Sequence, residues 1–159
     1  MELLRHQRLV YMNVGGVTPQ YELVGQGFTG LTVAANAKTA EKQYIHQKNA
    51  SGGVSGYAPT MSFTSVMDDS DEVSLYLQGI ANKFEVGAKA NTSIVIVDTW
   101  MDGTTAGTQR AWKQDVMVQI DNPGSSDAGV ELALTGTLNY VGDVVEGEFN
   151  SQTKSFTAK

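Results

Sequence analysis

Two histidines and one run of carboxylates are the residues best suited to chemistry in this sequence. His6 and His46 stand far apart, and neither has a serine or carboxylate at a spacing used by catalytic dyads and triads. Isolated histidines of this kind are typical of exposed positions. We therefore predict no catalytic residue and no enzymatic activity.

The carboxylates of residues 68–72 are the densest group of possible metal ligands. A calcium-binding loop needs oxygen ligands at alternate positions, a glycine at the turn and a distal glutamate, and this run lacks that pattern. Helix capping accounts for it better, because acidic groups stabilise the positive end of a helix dipole. Asp121, Asn122 and Asp127 suit a cation or a turn, and we favour the turn. We predict no metal ion and no cofactor.

The sequence also gives little support for phosphate binding, thiol chemistry or glycoside hydrolysis. The glycine pairs at residues 25–27 and 52–53 are not followed by Lys-Ser/Thr or by a helix start. The chain has no cysteine, which excludes thiol nucleophiles, disulfides and cysteine-bound zinc. Paired glycosidase carboxylates stay open, but the two tryptophans, Trp100 and Trp112, flank predicted strands, which favours a packing role.

Composition limits the class of protein further. The 159 residues carry 17 acidic and 11 basic side chains, a formal net charge of −6, so few cations are present to neutralise nucleic-acid phosphates. The longest apolar run, residues 94–97, is too short to span a bilayer, and the N-terminus lacks the apolar core of an export signal. We expect a single domain, residues 1–159, that folds in the cytoplasm and contacts no membrane.

Alternating apolar residues predict several strands. Residues 115–121 and 130–141 alternate with a period of two, and the turn-forming residues 121–127 between them predict a hairpin. Residues 92–101 form a third strong pattern, with residues 94–97 buried on both faces. Weaker patterns predict strands at 28–35, 60–67 and 144–149, the last after a turn at Gly142-Asp143, and an edge strand at Phe156.

One segment has the period of a helix instead. Between residues 69 and 87, five apolar residues recur at intervals of three and four. Asp69 with Glu72 predicts an N-terminal cap, and Gly87 predicts the C-terminal one. The helix is expected to cover about residues 69–86 and to pack on a sheet through Val73, Tyr76, Leu77, Ile80 and Phe84.

A long polar segment, residues 36–57, separates two of the weaker strands. It holds three lysines and one glutamate, and three glycines lie near its end. A loop of this length in a small domain is usually functional or disordered. We predict a long protruding loop, about residues 38–57, or a protruding hairpin that has parts such as residues 43–46 as its strand arms.

In their order and in their local sequences, these segments resemble the major tail proteins that build the tail tubes of long-tailed phages and prophages of Gram-positive bacteria. The likeness covers most of the chain. It is carried by Tyr11-Met12-Asn13, residues 23–27, Leu31-Thr32-Val33, residues 36–39 and 56–59, the acidic start of the helix, Trp100-Met101, and residues 138–143, 147–150 and 154–157.

The resemblance implies a mainly β fold, a two-sheet antiparallel β-sandwich or barrel with one flanking helix and the protruding loop. It also implies hexameric rings that stack into a hollow tube, with DNA passing through the lumen without specific binding. Implied partners are further copies of the chain, a tape-measure protein, a tail terminator and baseplate or initiator proteins. The implied location is the virion tail, after assembly in the host cytoplasm.

Two sets of residues follow as candidates for this role. Acidic side chains of the strand faces are candidates for the lumen, where they would repel phosphates: Asp115, Asp121 and Glu131. The loop is expected to reach the next ring, its lysines pairing there with the acidic residues 68–72. The residues of this inter-ring loop are Lys42, Lys48, Ala50, Ser51, Gly52, Gly53 and Val54.

Two alternatives remain beside this interpretation. A phage or bacterial β-sandwich that binds a carbohydrate or adheres to a surface would have the same element order, although the sequence clusters neither aromatic residues nor metal ligands. Contractile and non-contractile tails use the same subunit fold, so the kind of tail stays open.

Overall fold

The computed structural model describes all residues, Met1–Lys159, and consists mainly of antiparallel strands. The α-helix α1 covers Glu72–Lys83, and two short 3-10 turns cover Arg5–Gln7 and Gly87–Ala90. The strands are β1 (Arg8–Asn13), β2 (Tyr21–Leu23), β3 (Phe28–Ala34), β4 (Ala37–Lys42), β5 (Ser51–Tyr57), β6 (Thr60–Val66), β7 (Asn91–Asp102), β8 (Thr108–Ser125), β9 (Ala133–Asn150) and β10 (Ser155–Ala158).

Eight strands form one curled sheet in the order β2-β1-β7-β8-β9-β6-β3, with β10 also paired to β9. The remaining two strands, β4 and β5, form a separate ribbon. The prediction of a mainly β, antiparallel fold with one flanking helix is confirmed.

The two 18-residue strands β8 and β9 run through both halves of this sheet. Residues 117–125 of β8 and 133–141 of β9 join β6 and β3, and we call this four-stranded part the β3 half. The rest of β8 and β9 joins β7, β1, β2 and β10, and we call it the β1 half. Three strands lie between β1 and β6, and the sheet curls so that side chains of these two strands share one hydrophobic core.

A β-bulge lies where the two halves meet. The β8–β9 register shifts between Lys113 and Asp115, and the buried Gln114 donates to the carbonyl oxygens of Val141 (2.8 Å) and Gly142 (3.2 Å). Gly142 adopts a left-handed backbone, φ 72°, within the strand. The predicted turn at Gly142-Asp143 is therefore wrong, because β8 pairs with β9 on both sides of the bulge and the strand continues.

The core has two parts on opposite faces of the sheet. The larger lies inside the curl, where β1, β6, β8 and β9 pack on α1 through residues such as Met12, Phe63 and Leu77. The smaller lies on the other face, where Tyr11 packs on Phe149 at 4.5 Å between ring centroids. Ile94 lies in the first part and Val95 and Val97 in the second, as the continuous apolar pattern of β7 predicts.

The helix starts and ends at residues other than those predicted. Asp71, not Asp69, is the N-cap, and its carboxylate accepts the Ser74 backbone N–H at 3.2 Å. Phe84, not Gly87, ends the helix in a left-handed conformation, φ 49°. The cap moves because the Asp68 carboxylate accepts both the N–H and the hydroxyl of Ser70, which folds residues 68–70 into a turn before the helix.

The helix residues predicted to pack lie mostly on its inner face. Val73 and Leu77 are fully buried, Ile80 is nearly so, and Tyr76 is partly buried against the core. The expectation for Phe84 is wrong, since 77% of this residue is exposed. Its left-handed backbone turns the chain out of the helix and carries the ring away from the sheet.

Two loops also differ from their predicted bounds. The segment predicted as a loop at 38–57 is the β4–β5 ribbon with a tip at residues 43–50, so the predicted arm at 43–46 lies in the tip. There the Gln43 side chain donates to the carbonyl oxygens of Gln47 and Lys48. The predicted turn at 121–127 lies instead at residues 126–132, because β8 continues through bulges as far as Ser125.

Candidate assembly surfaces

The β4–β5 ribbon, with its tip, is the most exposed part of the chain. Every strand residue of the ribbon except Gly56 is exposed, among them the apolar Val54 and Tyr57. At the tip, the rings of Tyr44 and His46 stack with 6.2 Å between their centroids, and Ile45 is fully exposed to solvent. A two-stranded hairpin is marginally stable in water by itself, so this surface is suited to contact another molecule.

The predicted inter-ring residues all lie in this hairpin. Lys42 ends β4, while Lys48 and Ala50 lie in the tip. Ser51, Gly52, Gly53 and Val54 open β5. Lys38, Lys42 and Lys48 outnumber Glu41, so the hairpin is a basic element of an acidic chain.

The β3 half of the sheet has two free edges. β3 ends the strand order, and its outer edge pairs with nothing. On the opposite side, β7 pairs with β8 only as far as Met117, which leaves the outer edge of β8 without a strand partner up to Ser125. An unpaired strand edge is a template for pairing with another chain.

The outward face of the β3 half is polar and carries little charge. Its register places hydroxyl and amide side chains side by side across four strands, and Lys and Arg are absent from this face. Its members include Thr32, Ser62, Thr64, Gln119, Thr135, Thr137 and Asn139. Asp115 and Asp121 are exposed on the same side of β8, whereas Glu131 lies in the loop between β8 and β9.

An open groove of about 740 Å³ lies between the two halves, at the base of the hairpin. The helix covers the opposite end of the curl. Val10, Met61 and Ile96 line the groove with apolar surface, while Arg5 and Arg8 stand beside them on the β1 side. The groove is therefore apolar at its base and basic along one wall.

A buried carboxylate lies beneath this basic wall. Asp98 is 1% exposed, and its Oδ2 accepts the Nε–H groups of Arg110 and Trp112, each at 3.0 Å. Arg8 lies 3.3 Å from the other oxygen. Since these partners compensate the charge of Asp98, the cluster ties β1, β7 and β8 together at the groove. Sequence reasoning missed it, although Asp98 occupies the inward-facing phase of β7, two residues after Ile96.

The molecule is electrically polar along the β3 half. Val66 pairs with Ala133, which brings the acidic residues 68–72 and the loop of residues 126–132 to one end of this half. At the other end, where Thr60 pairs with Ala34 and Asn139, the basic hairpin and the groove emerge. At the acidic end, hydrogen bonds from Ser70 lower the pKa of Asp68, while burial raises the pKa of Asp71.

Chemical sites of other kinds are not apparent. No three histidine, aspartate or glutamate side chains lie close enough together to hold a metal ion. No helix is both long and apolar enough to cross a membrane.

Comparison with known proteins finds the fold but no sequence relative: no protein-family model and no curated protein matches the chain. A solved structure of the tail of an empty gene transfer agent particle, refined with C6 symmetry, is 15% identical, with a TM-score of 0.65 over 99% of this chain and 100% of that chain. A chain from the virion of the native gene transfer agent is 15% identical, with a TM-score of 0.62 over the same shares.

A third similar structure is the six-fold symmetrised baseplate of the anti-feeding prophage. It is 14% identical, with a TM-score of 0.51 over 92% of this chain and 95% of that chain. At such low identity, these likenesses establish a common fold over nearly the whole chain. All three structures are parts of phage-like particles.

Proposed function

We propose that this chain is a structural subunit of a phage-like tail tube, in which six copies form a ring and the rings stack. The observation that carries the proposal is the four-stranded β3 half with a free edge on each side. The common fold with a tail refined in C6 symmetry supports it. One chain forms one unit of the ring.

The strand directions suit closure into a ring. Three antiparallel pairings separate β3 from β8, so these two edges run in opposite directions. When copies are related by rotation about the tube axis, β3 of one copy meets β8 of the next as an antiparallel pair. Such a head-to-tail contact closes a ring when the rotation closes, and it uses a different surface on each copy.

The outward face of the β3 half lines the lumen in this arrangement. Its hydroxyl and amide groups offer no cation to hold the phosphates of passing DNA, and Asp115 and Asp121 repel them. Glu131, in its loop, lies at the end of this face rather than on it. DNA therefore passes through without specific binding.

The basic hairpin reaches the adjacent ring. Stacking places the acidic end of one copy over the hairpin end of another, where Lys42 and Lys48 meet the acidic residues 68–72.

A tape-measure protein fills the lumen before ejection, and terminator and baseplate or initiator proteins bind the two ends of the tube. The chain assembles in the host cytoplasm and resides in the virion tail.

Electron microscopy tests the proposal directly. We expect the purified chain, incubated alone and with its tail-initiation complex, to form six-membered rings or hollow tubes under negative stain, with a matching mass by light scattering. A chain that stays monomeric in both incubations would overturn the proposal and favour the binding module.

Charge reversal tests the role of the hairpin. We expect Lys42→Glu with Lys48→Glu to prevent stacking, because like charges then face each other between rings. The unfolding free energy should change little, since both side chains are exposed and neither forms an ion pair within the chain. Tubes of normal length from this variant would exclude the lysine contact.

A further inference from the structure

We infer that the groove at the base of the hairpin receives the loop of residues 126–132 from the copy stacked on it. This inference rests on the proposed function and adds a specific contact to it. The groove is an apolar cleft of about 740 Å³ inside the curl of the sheet, left uncovered because α1 fills only the opposite end.

The chemistry of the groove defines what fits it. Val33, Tyr57 and Val144, which are 52%, 62% and 53% exposed, supply apolar contact surface above a base of buried side chains. On the β1 side, Arg5 has no carboxylate partner within the chain, whereas Arg8 forms an ion pair with Asp98. Asp143, on the other wall, is the single exposed acidic group among the lining residues. The matching occupant is an apolar segment with carboxylates placed to meet the Arg5 side.

The loop of residues 126–132 has this composition. Val130 and Leu132 are 63% and 52% exposed, and they flank Glu131. Asp127 adds a second carboxylate, and the loop has no basic residue. Its charge is therefore opposite to that of the Arg5 wall.

Internal hydrogen bonds hold the loop in shape before any contact forms. The Ser126 hydroxyl donates to the carbonyl of Glu131 and accepts the Ala133 N–H, while the Val130 N–H donates to the carbonyl of Asp127 at 3.1 Å. A loop that is already ordered loses little conformational entropy on docking. The exposed side chains of Val130 and Leu132 therefore project from a loop whose backbone is already ordered.

The positions of the loop and the groove require a second copy. The loop lies where Ala133 pairs with Val66, and the groove opens where Asn139 pairs with Thr60. The six-residue separation along β6 corresponds to about 20 Å. A loop cannot reach its own groove across that span, but stacking of copies in the same orientation brings the loop of one above the groove of another.

Site-specific photo-cross-linking in assembled tubes tests the contact. We place p-benzoylphenylalanine at Val130, mix isotopically labelled with unlabelled chains, irradiate the tubes and map the linked peptides by mass spectrometry. We expect links between two different copies, from position 130 to peptides that contain Val33, Tyr57 or Tyr140. The same probe at Leu23, an exposed apolar residue on the β2 edge, is the matched control and should leave these peptides unlinked.

The outcomes separate this inference from the proposed function. Tubes in which position 130 links to other surfaces, such as the N-terminal residues or the hairpin tip, would overturn the groove contact and leave the tube subunit standing. A wild-type chain that forms neither rings nor tubes with its initiation complex would overturn both.

A charge exchange gives a second readout, independent of the probe. We expect Arg5→Glu to raise the concentration needed for assembly about fivefold, the size of effect of one exposed charge pair. Glu131→Arg should act similarly, and the two changes together should restore assembly because the pair is reversed. Losses that simply add in the double variant would contradict the contact.

Discussion

Glu148 is the side chain whose ionisation is most strongly tied to the fold. It accepts hydrogen bonds from the Thr104 hydroxyl and backbone N–H and from the Thr108 hydroxyl at 3.2 Å, which fastens the loop between β7 and β8. These bonds, with that of the Thr104 hydroxyl the largest cause, lower the pKa of Glu148 from 4.5 to about 2. Because the folded state favours the ionised form, its contribution to stability is complete above pH 4.5 and is lost as the pH falls to about 2.

We therefore predict that the stability difference between wild type and Glu148→Gln shrinks as the pH falls from about 5 to about 2. Urea unfolding at a series of pH values measures it. Thr104→Val, which removes the hydroxyl but keeps the backbone N–H, should lose part of the same pH dependence. A difference between wild type and Glu148→Gln that stays constant over this range would mean that the Glu148 bonds do not persist in solution.

At the scale of the element, the N-cap of α1 can be tested with a neighbouring control. We predict that Asp71→Ala lowers the unfolding free energy by about 1 kcal/mol at neutral pH, because the Ser74 backbone N–H loses its acceptor. Asp69→Ala should change it by less than about 0.5 kcal/mol, since Asp69 is exposed and caps nothing. Thermal unfolding followed by circular dichroism compares the two, and the reverse ranking would make Asp69 the cap.

At the scale of the whole molecule, the hairpin tip should be dispensable for folding and required for assembly. We predict that replacing residues 43–50 with an Asn-Gly turn changes the unfolding free energy by less than about 0.5 kcal/mol, because the tip is almost entirely exposed. Tube formation should be lost, as judged by electron microscopy. Normal tubes from this shortened chain would show that inter-ring contacts lie elsewhere, whereas a destabilised monomer would show that the tip packs on the body.

Much of the strand and helix content was predictable because each element carries its own periodicity. The alternation in residues 115–121 and the helical spacing from Val73 to Ile80 are properties of neighbouring residues, so they survive in the fold. The predictions were wrong where one local sequence pattern is compatible with two structures. Gly142 lies in a bulge and not in a turn, because β8 and β9 pair on both sides of it. Asp71, not Asp69, caps the helix, because Ser70 donates hydrogen bonds to Asp68 and places residues 68–70 in a turn.

The sequence by itself determined a mainly β chain with one helix, an acidic balance, and a basic segment between two weak strands that the structure displays as a protruding hairpin. Only the tertiary structure decided which edges remain free, where the groove opens, and that the acidic and basic groups lie at opposite ends of the β3 half. Those features depend on pairings between distant residues, such as Val66 with Ala133 and Arg110 with Asp98. Periodicity encodes which face of a strand is buried, but a strand's partner and the curl of the sheet come from the packing of the whole chain.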